Sequence, residues 1–245
     1  MAKLKSPKTY LLFDSANSFF RARHVVRGDD IDTKTGLAFH ICINSVKKCW
    51  ERFKADHVVF CFEGRSWRKD TYTPYKANRK ERYAEQTPEE EQEFLDFLAE
   101  FQLTMNTLKE KGYLTLKYPG VEADDISAHI VQNRENLGID EVWMISSDKD
   151  WDLLVDEKVS RFSTVTRKET TVHNWDEHYD FDPEYFLTYK CLTGDKGDNV
   201  PGVTGVGPKR ATQLIEQYGD VSVSYTHLRA HETVLDLVCR LLLEK

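Results

Sequence analysis

The stretch Tyr10-Leu-Leu-Phe-Asp14 decides the fold class of this chain, because a short apolar run that ends on a carboxylate is typical of a buried strand. Similar apolar or β-branched runs occupy residues 58–63, 113–118 and 142–148, and helix-length segments separate them. This alternation predicts an α/β fold in which a central, mostly parallel sheet is flanked by crossover helices.

Several of the predicted strands end on an acidic residue. Asp14 closes the first run, Glu63 the second and Asp148 the fourth. Ligands of parallel sheets bind outside the carboxyl ends of the strands, so we expect these three side chains to lie close together.

The other clustered acids lie at a helix start, beside Asp148 and in a glycine-rich turn: Glu122, Asp124 and Asp125; Asp150; Asp195 and Asp198. Nine carboxylates in one cleft would repel one another strongly unless cations neutralised them. Mg²⁺ and Mn²⁺ take such oxygen ligands, and a pair of these ions is an arrangement that cleaves phosphodiesters. The pattern predicts a metal-dependent nuclease, although each acid taken singly also suits a helix start or a turn.

Composition indicates a globular protein and excludes several classes. With 40% hydrophobic and 31% charged residues the chain does not have a disordered composition, and no apolar run approaches the roughly 20 residues of a membrane span. The apolar run after the basic N-terminus is too short for a signal peptide, so we expect a cytoplasmic location. The five cysteines form no C-x-x-C pair and have no histidine at zinc-finger spacing, which favours neither disulfides nor a zinc site.

The net charge of −7 conflicts at first sight with DNA binding, which normally needs a basic surface. Leaving out the nine clustered acids changes −7 to +2, and residues 65–82 carry seven basic against two acidic side chains, a local charge of +5. The charge is therefore segregated along the chain.

Two adjacent segments differ in their periodicity. Residues 87–112 carry apolar side chains at i, i+3, i+4 spacing between a Thr-Pro-Glu-Glu start signal and Gly112, which predicts a long amphipathic helix. Residues 71–86 are charged and lack this periodicity. We expect them to be a loop, or to become helical only on binding, and to act as an arch or lid beside the acidic cleft.

A glycine turn precedes a further predicted helix. In Gly205-Val-Gly207-Pro-Lys209-Arg210, backbone N–H groups at the helix start would bind a phosphate without reading base sequence, and the two cations add positive charge. This element resembles a helix-hairpin-helix. Residues 222–245, in contrast, resemble a translated sequencing-library adapter, so we expect that segment to be non-native and the natural C-terminus to be missing.

Taken together, the motifs resemble those of the 5′ nuclease family, which includes phage flap endonucleases, also called 5′-3′ exonucleases, and the 5′ nuclease domain of bacterial DNA polymerase I. In chain order they are Leu-Leu-Phe-Asp14-Ser-Ala-Asn, Pro-Tyr-Lys76-Ala-Asn-Arg79, Gly-Val-Glu122-Ala-Asp-Asp, Ser-Ser-Asp148-Lys-Asp150-Trp-Asp, Gly-Asp195-Lys-Gly-Asp198-Asn and the glycine hairpin. The resemblance covers residues 10–219. It implies a nuclease domain over residues 1–185 with a helical arch at about 65–112, and a helix-three-turn-helix over 186–221 that grips duplex DNA and binds K⁺.

Carried over residue by residue, the resemblance assigns six acids to one or two divalent ions, directly or through water: Asp14, Glu63, Glu122, Asp124, Asp148 and Asp150. A further three acids would complete the outer or second-metal site: Asp125, Asp195 and Asp198. Glu63 departs from the family, which usually has aspartate at this position, so a water-mediated role suits it better than direct ligation.

The resemblance also implies contacts with nucleic acid. Lys76 and Arg79 would contact the scissile phosphodiester and stabilise its developing charge, and Tyr83 would stack on a nucleotide. Other expected DNA contacts come from the basic segment and the glycine hairpin: Arg65, Arg68, Gly205, Gly207, Lys209 and Arg210.

The implied activity is hydrolysis of phosphodiesters in branched or 5′-ended DNA, with Mg²⁺ or Mn²⁺ as the cofactor. We expect a monomer that acts on DNA with a 5′ flap or free 5′ end, or on an RNA/DNA hybrid, with a DNA polymerase as functional partner and no membrane association. Two alternatives stay open. A PIN-like ribonuclease shares the acidic sheet edge but does not need the glycine hairpin, and a catalytically silent DNA-junction-binding protein would keep the fold alone.

Overall fold

The computed structural model describes residues 8–26 and 31–220, without the side chains of residues 31, 32 and 80–82. Its backbone divides into two compact units: unit 1 comprises Met1–Ser66 and Gln86–Thr171, and unit 2 comprises Trp67–Glu85 and Val172–Lys245. The adapter-like segment 222–245 lies outside the described residues.

Residues 67–85 fall in unit 2, because residues 74–79 form hydrogen bonds with residues 196–199. The domain boundary predicted near residue 185 stays a prediction. The amide of Lys76 donates to the carbonyl oxygen of Asp198 (2.8 Å). The Nδ2 of Asn199 donates to the carbonyl oxygen of Pro74 (2.9 Å). The basic segment thus groups with the C-terminal half of the chain.

The α-helices are, in chain order, α1 (Ser15–Val25), α2 (Ile31–Phe53), α3 (Arg68–Thr71), α4 (Ala77–Ala84), α5 (Pro88–Glu110), α6 (Ala123–Gln132), α7 (Phe186–Thr193) and α8 (Pro208–Tyr218). Short 3₁₀ helices occupy Lys149–Leu154, Val172–Glu177 and Pro183–Tyr185. Among the described helices, none is both long and apolar enough to cross a lipid bilayer.

Unit 1 is built on a six-stranded sheet of order β3-β2-β1-β4-β5-β6. The strands are β1 (Thr9–Asp14), β2 (His57–Cys61), β3 (Leu114–Leu116), β4 (Glu141–Ile145), β5 (Val159–Phe162) and β6 (Glu169–Thr170). The first five are parallel, and β6 runs antiparallel to β5. The predicted fold class, a mostly parallel sheet flanked by helices, is confirmed. The strands β5 and β6 were not predicted.

The sheet has a switch in strand order beside β1. The chain runs outward from β1 through β2 to β3 and then returns to place β4 on the other side of β1. Phe13 of β1 therefore pairs with Phe60 of β2 and with Ile145 of β4. A crevice forms outside the carboxyl ends of the strands at such a switch, and ligands bind there.

The two faces of the sheet pack against different helices because side chains alternate along a strand. Leu11 and Phe13 join a core with apolar side chains of α1, α2 and α5, among them Phe19 and Phe97. Leu12 faces the other way and is fully buried. Helix α6 contacts β1 and β2.

The long helix predicted over residues 87–112 is confirmed as α5. It begins with a capping box, in which the amide of Glu90 donates to the Thr87 hydroxyl and the amide of Thr87 donates to the Glu90 carboxylate. Pro88 occupies the first turn, and Gly112 follows the helix with a φ of 83°. The start and stop signals in the sequence therefore fixed both ends.

Unit 2 contains a helix-hairpin-helix arrangement. The strands β7 (Gly194–Asp195) and β8 (Val200–Pro201) form a small antiparallel hairpin after α7. Leu192, Val206, Ala211 and Ile215 form a buried cluster between α7 and α8. The predicted C-terminal helical element is confirmed.

The segment 71–86 is more ordered than predicted. Helix α4 occupies Ala77–Ala84, where the sequence predicted a loop or a segment that becomes helical only on binding. The Nδ2 of Asn78 donates to the carbonyl oxygens of Lys196 and Gly197 (3.2 and 3.3 Å), and these contacts within unit 2 help to hold the helix. Its role as an arch over nucleic acid stays a prediction.

Candidate active site

Three acidic side chains follow the carboxyl ends of the central strands. Asp14 is the last residue of β1, Glu63 lies two residues beyond β2, and Asp148 lies three residues beyond β4. These strands flank the switch in strand order, so the sequence pattern and the topology select the same edge of the sheet.

Asp14 is the buried centre of this edge, with only 4% of its surface exposed. Its Oδ1 accepts from the amide of Asn17 (3.1 Å) and its Oδ2 from the hydroxyl of Ser146 (2.7 Å). Burial first, then the nearby carboxylate of Asp124 and, more weakly, that of Asp148, raise the pKa of Asp14 to about 7, against the opposing effect of the two hydrogen bonds. The negative charge on Asp14 is therefore destabilised where it sits, which a neighbouring cation would reverse.

Cys61, at the end of β2, is affected by the same group of negative charges. Burial raises the pKa of its thiol above the ordinary value, and the carboxylates of Asp14, Asp124 and Glu63 raise it further. These three acids come from separate segments of the chain, yet each acts on one buried sulfur atom. Asp14, Asp124 and Glu63 therefore lie near this strand end, and their joint binding of a metal ion stays a prediction.

Gly64 allows the chain after β2 to pass close to the start of α6. Its amide donates to the carbonyl oxygen of Val121 (2.8 Å). A Cβ atom at Gly64 would lie 2.2 Å from the carbonyl oxygen of Tyr118, which no side chain can do without moving the backbone. The glycine thereby brings the segment that carries Glu63 beside the segment that carries Glu122.

The N-terminus of α6 presents the central acidic motif. Glu122 is buried and accepts from the hydroxyl of Ser66 (2.7 Å). Asp125 accepts from the backbone amide of Glu122 (2.9 Å), and Asp124 accepts from the indole Nε1 of Trp151 (3.1 Å). Asp125 therefore caps the helix, which is the simpler of the two roles that the sequence allowed for it.

Asp148 lies at the start of the 3₁₀ helix Lys149–Leu154. Its Oδ1 accepts from the amide of Asp150 (3.0 Å), and its own side chain is exposed. Asp14 and Asp148 thus stand on the buried and exposed sides of the same strand-end crevice, and Asp150 follows Asp148 closely.

The donor set fits a hard divalent cation in its chemistry. All of the gathered groups are carboxylates, which Mg²⁺ and Mn²⁺ prefer, and those of Asp124 and Asp148 raise the pKa of Asp14. Within residues 8–26 and 31–220, however, no three Asp, Glu, His or Cys side chains are arranged so that they could hold an ion without adjustment. Protein hydrogen bonds hold Asp14, Glu122 and Asp124 in this arrangement.

The remaining two acids of the predicted cluster lie in unit 2. In the hairpin β7–β8, the Oδ2 of Asp195 accepts from the Nζ of Lys190 (2.7 Å). Its Oδ1 accepts from the amide of Asp198 (3.0 Å). A contribution of Asp195 and Asp198 to a second-metal site stays a prediction.

Asp198 gathers the residues predicted to contact the scissile phosphate. Its Oδ1 accepts from the Nη2 of Arg79 (2.8 Å) and its Oδ2 from the hydroxyl of Tyr75 (3.0 Å). The Nζ of Lys76 lies 3.6 Å from Oδ2. Lys76 has a φ of 55°, in the left-handed region, which costs a residue other than glycine about 1–2 kcal/mol. The hydrogen bond from its amide to the carbonyl oxygen of Asp198 helps to hold it there.

The predicted DNA contacts of the basic segment separate into exposed and buried residues. Arg65 and Tyr83 are exposed, as contact with nucleic acid requires. Arg68 is only 1% exposed, and its guanidinium lies 4.9 Å from the centre of the Trp67 ring. This burial contradicts the DNA contact predicted for Arg68, because a buried guanidinium does not reach a backbone phosphate.

The start of α8 has the geometry expected of a phosphate-contacting hairpin. Gly205 has a φ of 78°, Gly207 is the N-cap, and Pro208 occupies the first helical position. Lys209 and Arg210 in the first turn are exposed.

Several polar residues that support the acids were not singled out from the sequence. Asn17, Ser66 and Ser146 each bond an acid of the site. Asn17 lies three residues after Asp14, and Ser146 lies two residues before Asp148. Their places inside the quoted motifs are the features of the sequence that could have identified them.

Asp152, the last residue of the motif that contains Asp148 and Asp150, is buried. It is 2% exposed and forms a two-point ion pair with Arg161 of β5. The same guanidinium donates to the carbonyl oxygen of Ser146 (3.2 Å) and to the hydroxyl of Thr170 (3.0 Å). The pair therefore fixes the strand end that carries Asp148.

The chain matches two family models. The 5′-3′ exonuclease N-terminal resolvase-like domain matches residues 9–181, and the 5′-3′ exonuclease C-terminal SAM fold matches residues 181–238. The second match extends into the adapter-like segment, whose non-native origin stays a prediction.

Relatives with known names agree with these matches. The flap endonuclease of Escherichia phage T5 is 35% identical over 226 residues, which cover 90% of this chain and 74% of that protein. The DNA polymerase I of Rhizobium leguminosarum is 29% identical and covers 96% of this chain. The chain spans only 24% of that polymerase.

Two solved structures of the phage T5 protein are similar at 30% identity, and each match covers 97% of this chain and 87% of the other. The T5 5′-exonuclease with bound divalent zinc ions gives a TM-score of 0.79. A pseudo-enzyme-product complex of the T5 flap endonuclease with DNA and metal ions gives 0.76.

Proposed function

The chain belongs to the 5′-3′ exonuclease family, and from this membership we propose that its strand-end site cleaves branched or 5′-ended DNA. It is a 5′-3′ exonuclease of the flap endonuclease type, a phosphodiesterase that depends on divalent metal. The observation that supports the site is the convergence of Asp14, Asp124 and Glu63 on one buried strand end, where each raises the pKa of Cys61.

We propose Mg²⁺ or Mn²⁺ as the physiological ion, because all of the donors are carboxylates. The direct or water-mediated ligands would come from Asp14, Glu63, Glu122, Asp124, Asp148 and Asp150. When bound, a divalent ion supplies Lewis acidity and lowers the pKa of a coordinated water. Glu63 retains a water-mediated role in this proposal, and Asp125, Asp195 and Asp198 complete the outer site.

Lys76 and Arg79 would contact the scissile phosphodiester. Both cations already share one carboxylate, that of Asp198, which orients them toward a single anionic point. A phosphodiester oxygen carries the same charge as that carboxylate and accepts hydrogen bonds in the same way, so it can replace Asp198 as their partner. Their charge would then stabilise the transition state, in which negative charge accumulates on the phosphate.

The glycine turn at residues 205–207 and α8 would hold the duplex beside the cleaved strand. The exposed Lys209 and Arg210 and the N-terminal amides of α8 suit the phosphate backbone without base contacts. A K⁺ ion at this element, stacking of Tyr83 on a nucleotide and a contact from Arg65 belong to the same proposal.

The biological setting follows from the family. We propose a monomer that acts in the cytoplasm, on DNA or on an RNA/DNA hybrid, together with a DNA polymerase. Support for the polymerase partner comes from the match with DNA polymerase I, in which a segment similar to this chain is part of a longer polymerase.

Cleavage of a labelled 5′-flap oligonucleotide tests this function. Mg²⁺ or Mn²⁺ should support cleavage near the branch point, and excess EDTA should abolish it. A matched 3′-flap should be cut far more slowly. Equal cleavage with and without EDTA, or no cleavage in either metal, would contradict the proposal.

Variants of the same protein separate the nuclease from a silent DNA-binding protein. Asp148→Asn should lower the cleavage rate by about 100-fold or more, because an amide is a poor ligand and no longer neutralises an ion. It should leave flap binding intact. Glu157→Gln removes one exposed negative charge from the same unit and should cleave at the wild-type rate.

The same assay distinguishes the two alternatives. If the wild-type protein and Asp148→Asn bind the flap equally and neither cleaves it, the protein is a silent binder. Preferential cleavage of a matched RNA flap would favour the PIN-like ribonuclease.

A further inference from the structure

The hydroxyl of Ser146 forms hydrogen bonds with two acids of the active site, one at the end of β1 and one in the segment after β4. It donates to Oδ2 of Asp14 (2.7 Å) and accepts from the amide of Asp148 (3.0 Å). A serine hydroxyl has a single donor, so this arrangement commits it to Asp14 and leaves Asp148 bound through an acceptor lone pair. One buried atom therefore links the end of β1 to the segment after β4.

The backbone of Ser146 is held on both sides. Its amide donates to the carbonyl oxygen of Phe162 (3.2 Å), and its carbonyl accepts from the Nη1 of Arg161 (3.2 Å). Arg161 is itself fixed by the buried pair with Asp152. Ser146 is only 1% exposed, so its hydroxyl is shielded from bulk solvent.

A second link runs parallel to the first. The amide of Asn17 donates to Oδ1 of Asp14 (3.1 Å). The side-chain oxygen of Asn17 accepts from the hydroxyl of Ser147. Each carboxylate oxygen of Asp14 is thus connected to the segment that follows β4: Oδ2 directly through Ser146, and Oδ1 through Asn17, which contacts Ser147.

We propose that Ser146 is a positioning residue of the metal site, whose buried hydroxyl fixes Asp14 and Asp148 relative to each other across β1 and β4. This inference rests on the proposed function, since it assigns to Ser146 the orientation of two of the metal-binding acids. Residues that orient metal ligands from behind typically contribute about 10–100-fold to metal affinity or activity.

Ser127 provides a matched control within unit 1. It is fully buried like Ser146, and it lies on α6, but among the described residues its hydroxyl has no hydrogen-bond partner. Ser146→Ala and Ser127→Ala therefore remove the same atom from equally buried sites, and only one of them removes a contact with the acids.

The test measures Mn²⁺ binding to the full-length, DNA-free protein from the electron paramagnetic resonance signal of free Mn²⁺. Ser146→Ala should weaken Mn²⁺ binding by about 10–100-fold. Ser146→Thr retains the hydroxyl and should restore most of the affinity, whereas Ser127→Ala should match the wild type. In the flap assay, Ser146→Ala should need a correspondingly higher Mg²⁺ concentration.

A solely structural role would give a different result. If Ser146→Ala lowers the thermal midpoint but binds Mn²⁺ as tightly as the wild type and Ser127→Ala, the proposal is wrong. Should Ser146→Ala fail to fold, Ser146→Cys keeps a similar volume with a much weaker donor, and the same comparison of Mn²⁺ affinity decides. Wild-type protein that binds no Mn²⁺ and cleaves no flap would instead overturn the proposed function.

Discussion

At the scale of single residues, the site depends on polar groups whose partners are buried with them. Asp14 stays within a crowded acidic edge because Asn17 and Ser146 occupy its two oxygens. Behind them, the Arg161–Asp152 pair places a charged guanidinium in the interior and connects it to the backbone of Ser146. A buried pair of this kind is costly to break, because the remaining charge has no partner.

The Arg161–Asp152 pair leads to a prediction about stability. Asp152→Asn leaves Arg161 buried without its counter-charge and should lower the free energy of unfolding by about 3–5 kcal/mol. Urea denaturation followed by circular dichroism measures this change.

A surface pair supplies the control. Asp156 lies 3.0 Å from Arg134 with 39% of its side chain exposed, so Asp156→Asn should cost no more than about 1 kcal/mol. Equal losses for the two variants would show that burial does not set the strength of the inner pair.

At the scale of elements, the first residues of helices do much of the positioning. Helix α6 begins at the acidic motif, and Asp125 caps it through the amide of Glu122. Helix α8 begins at Gly207 and presents two exposed cations. Helix α5 begins at a capping box formed by Thr87 and Glu90, which makes it a convenient place to measure the contribution of a helix start.

A threonine-to-alanine substitution should have different effects on the free energy of unfolding at the start of α5 and inside it. Thr87→Ala removes the N-cap acceptor and should lower the free energy of unfolding by about 1 kcal/mol. Thr107→Ala removes an exposed hydroxyl that donates to the carbonyl of Leu103 inside the helix, and it should be neutral or slightly stabilising because alanine favours the helix more. Chemical denaturation of both variants checks this sign difference, and two equal losses would contradict it.

At the scale of the whole molecule, charge is separated between segments. The acids of unit 1 gather at one strand-end crevice, while the predicted cations of unit 2 surround Asp198. The net charge of −7 therefore does not prevent binding of DNA, since much of the negative charge belongs to a site that a cation would neutralise.

Binding of metal to this acidic site should stabilise the folded protein. Because a divalent ion needs the assembled carboxylates, it binds the folded state preferentially, and at 100 times its dissociation constant it should add about 2.7 kcal/mol to the free energy of unfolding. Thermal unfolding in Mg²⁺, compared with NaCl of equal ionic strength, measures this increase.

Two variants test whether the increase comes from the site. Asp148→Asn should lose much of the Mg²⁺-dependent increase, and Glu157→Gln should keep it. An equal increase in both variants would assign the effect to nonspecific screening.

Much of the fold and part of the site could be predicted because they follow from local patterns. Apolar runs at helix-length intervals fixed β1, β2, β3 and β4, and the rule that parallel strands share their carboxyl edge brought Asp14, Glu63 and Asp148 together. The short strands β5 to β8 escaped prediction, since runs of two to four residues carry too little periodicity. Arg68 was assigned to DNA because an arginine in a basic run is usually exposed.

By itself the sequence determined the fold class, the ends of α5 and the family, because each is encoded in the spacing and type of neighbouring residues. Only the tertiary structure decided which partner each polar group takes: Asp125 a helix amide, Asp198 the cations at residues 76 and 79, Asp152 a buried arginine, and Ser146 two acids of the site. The physical reason is that a hydrogen bond or ion pair depends on burial and on atoms brought within about 3 Å, and these atoms come from segments far apart in the chain.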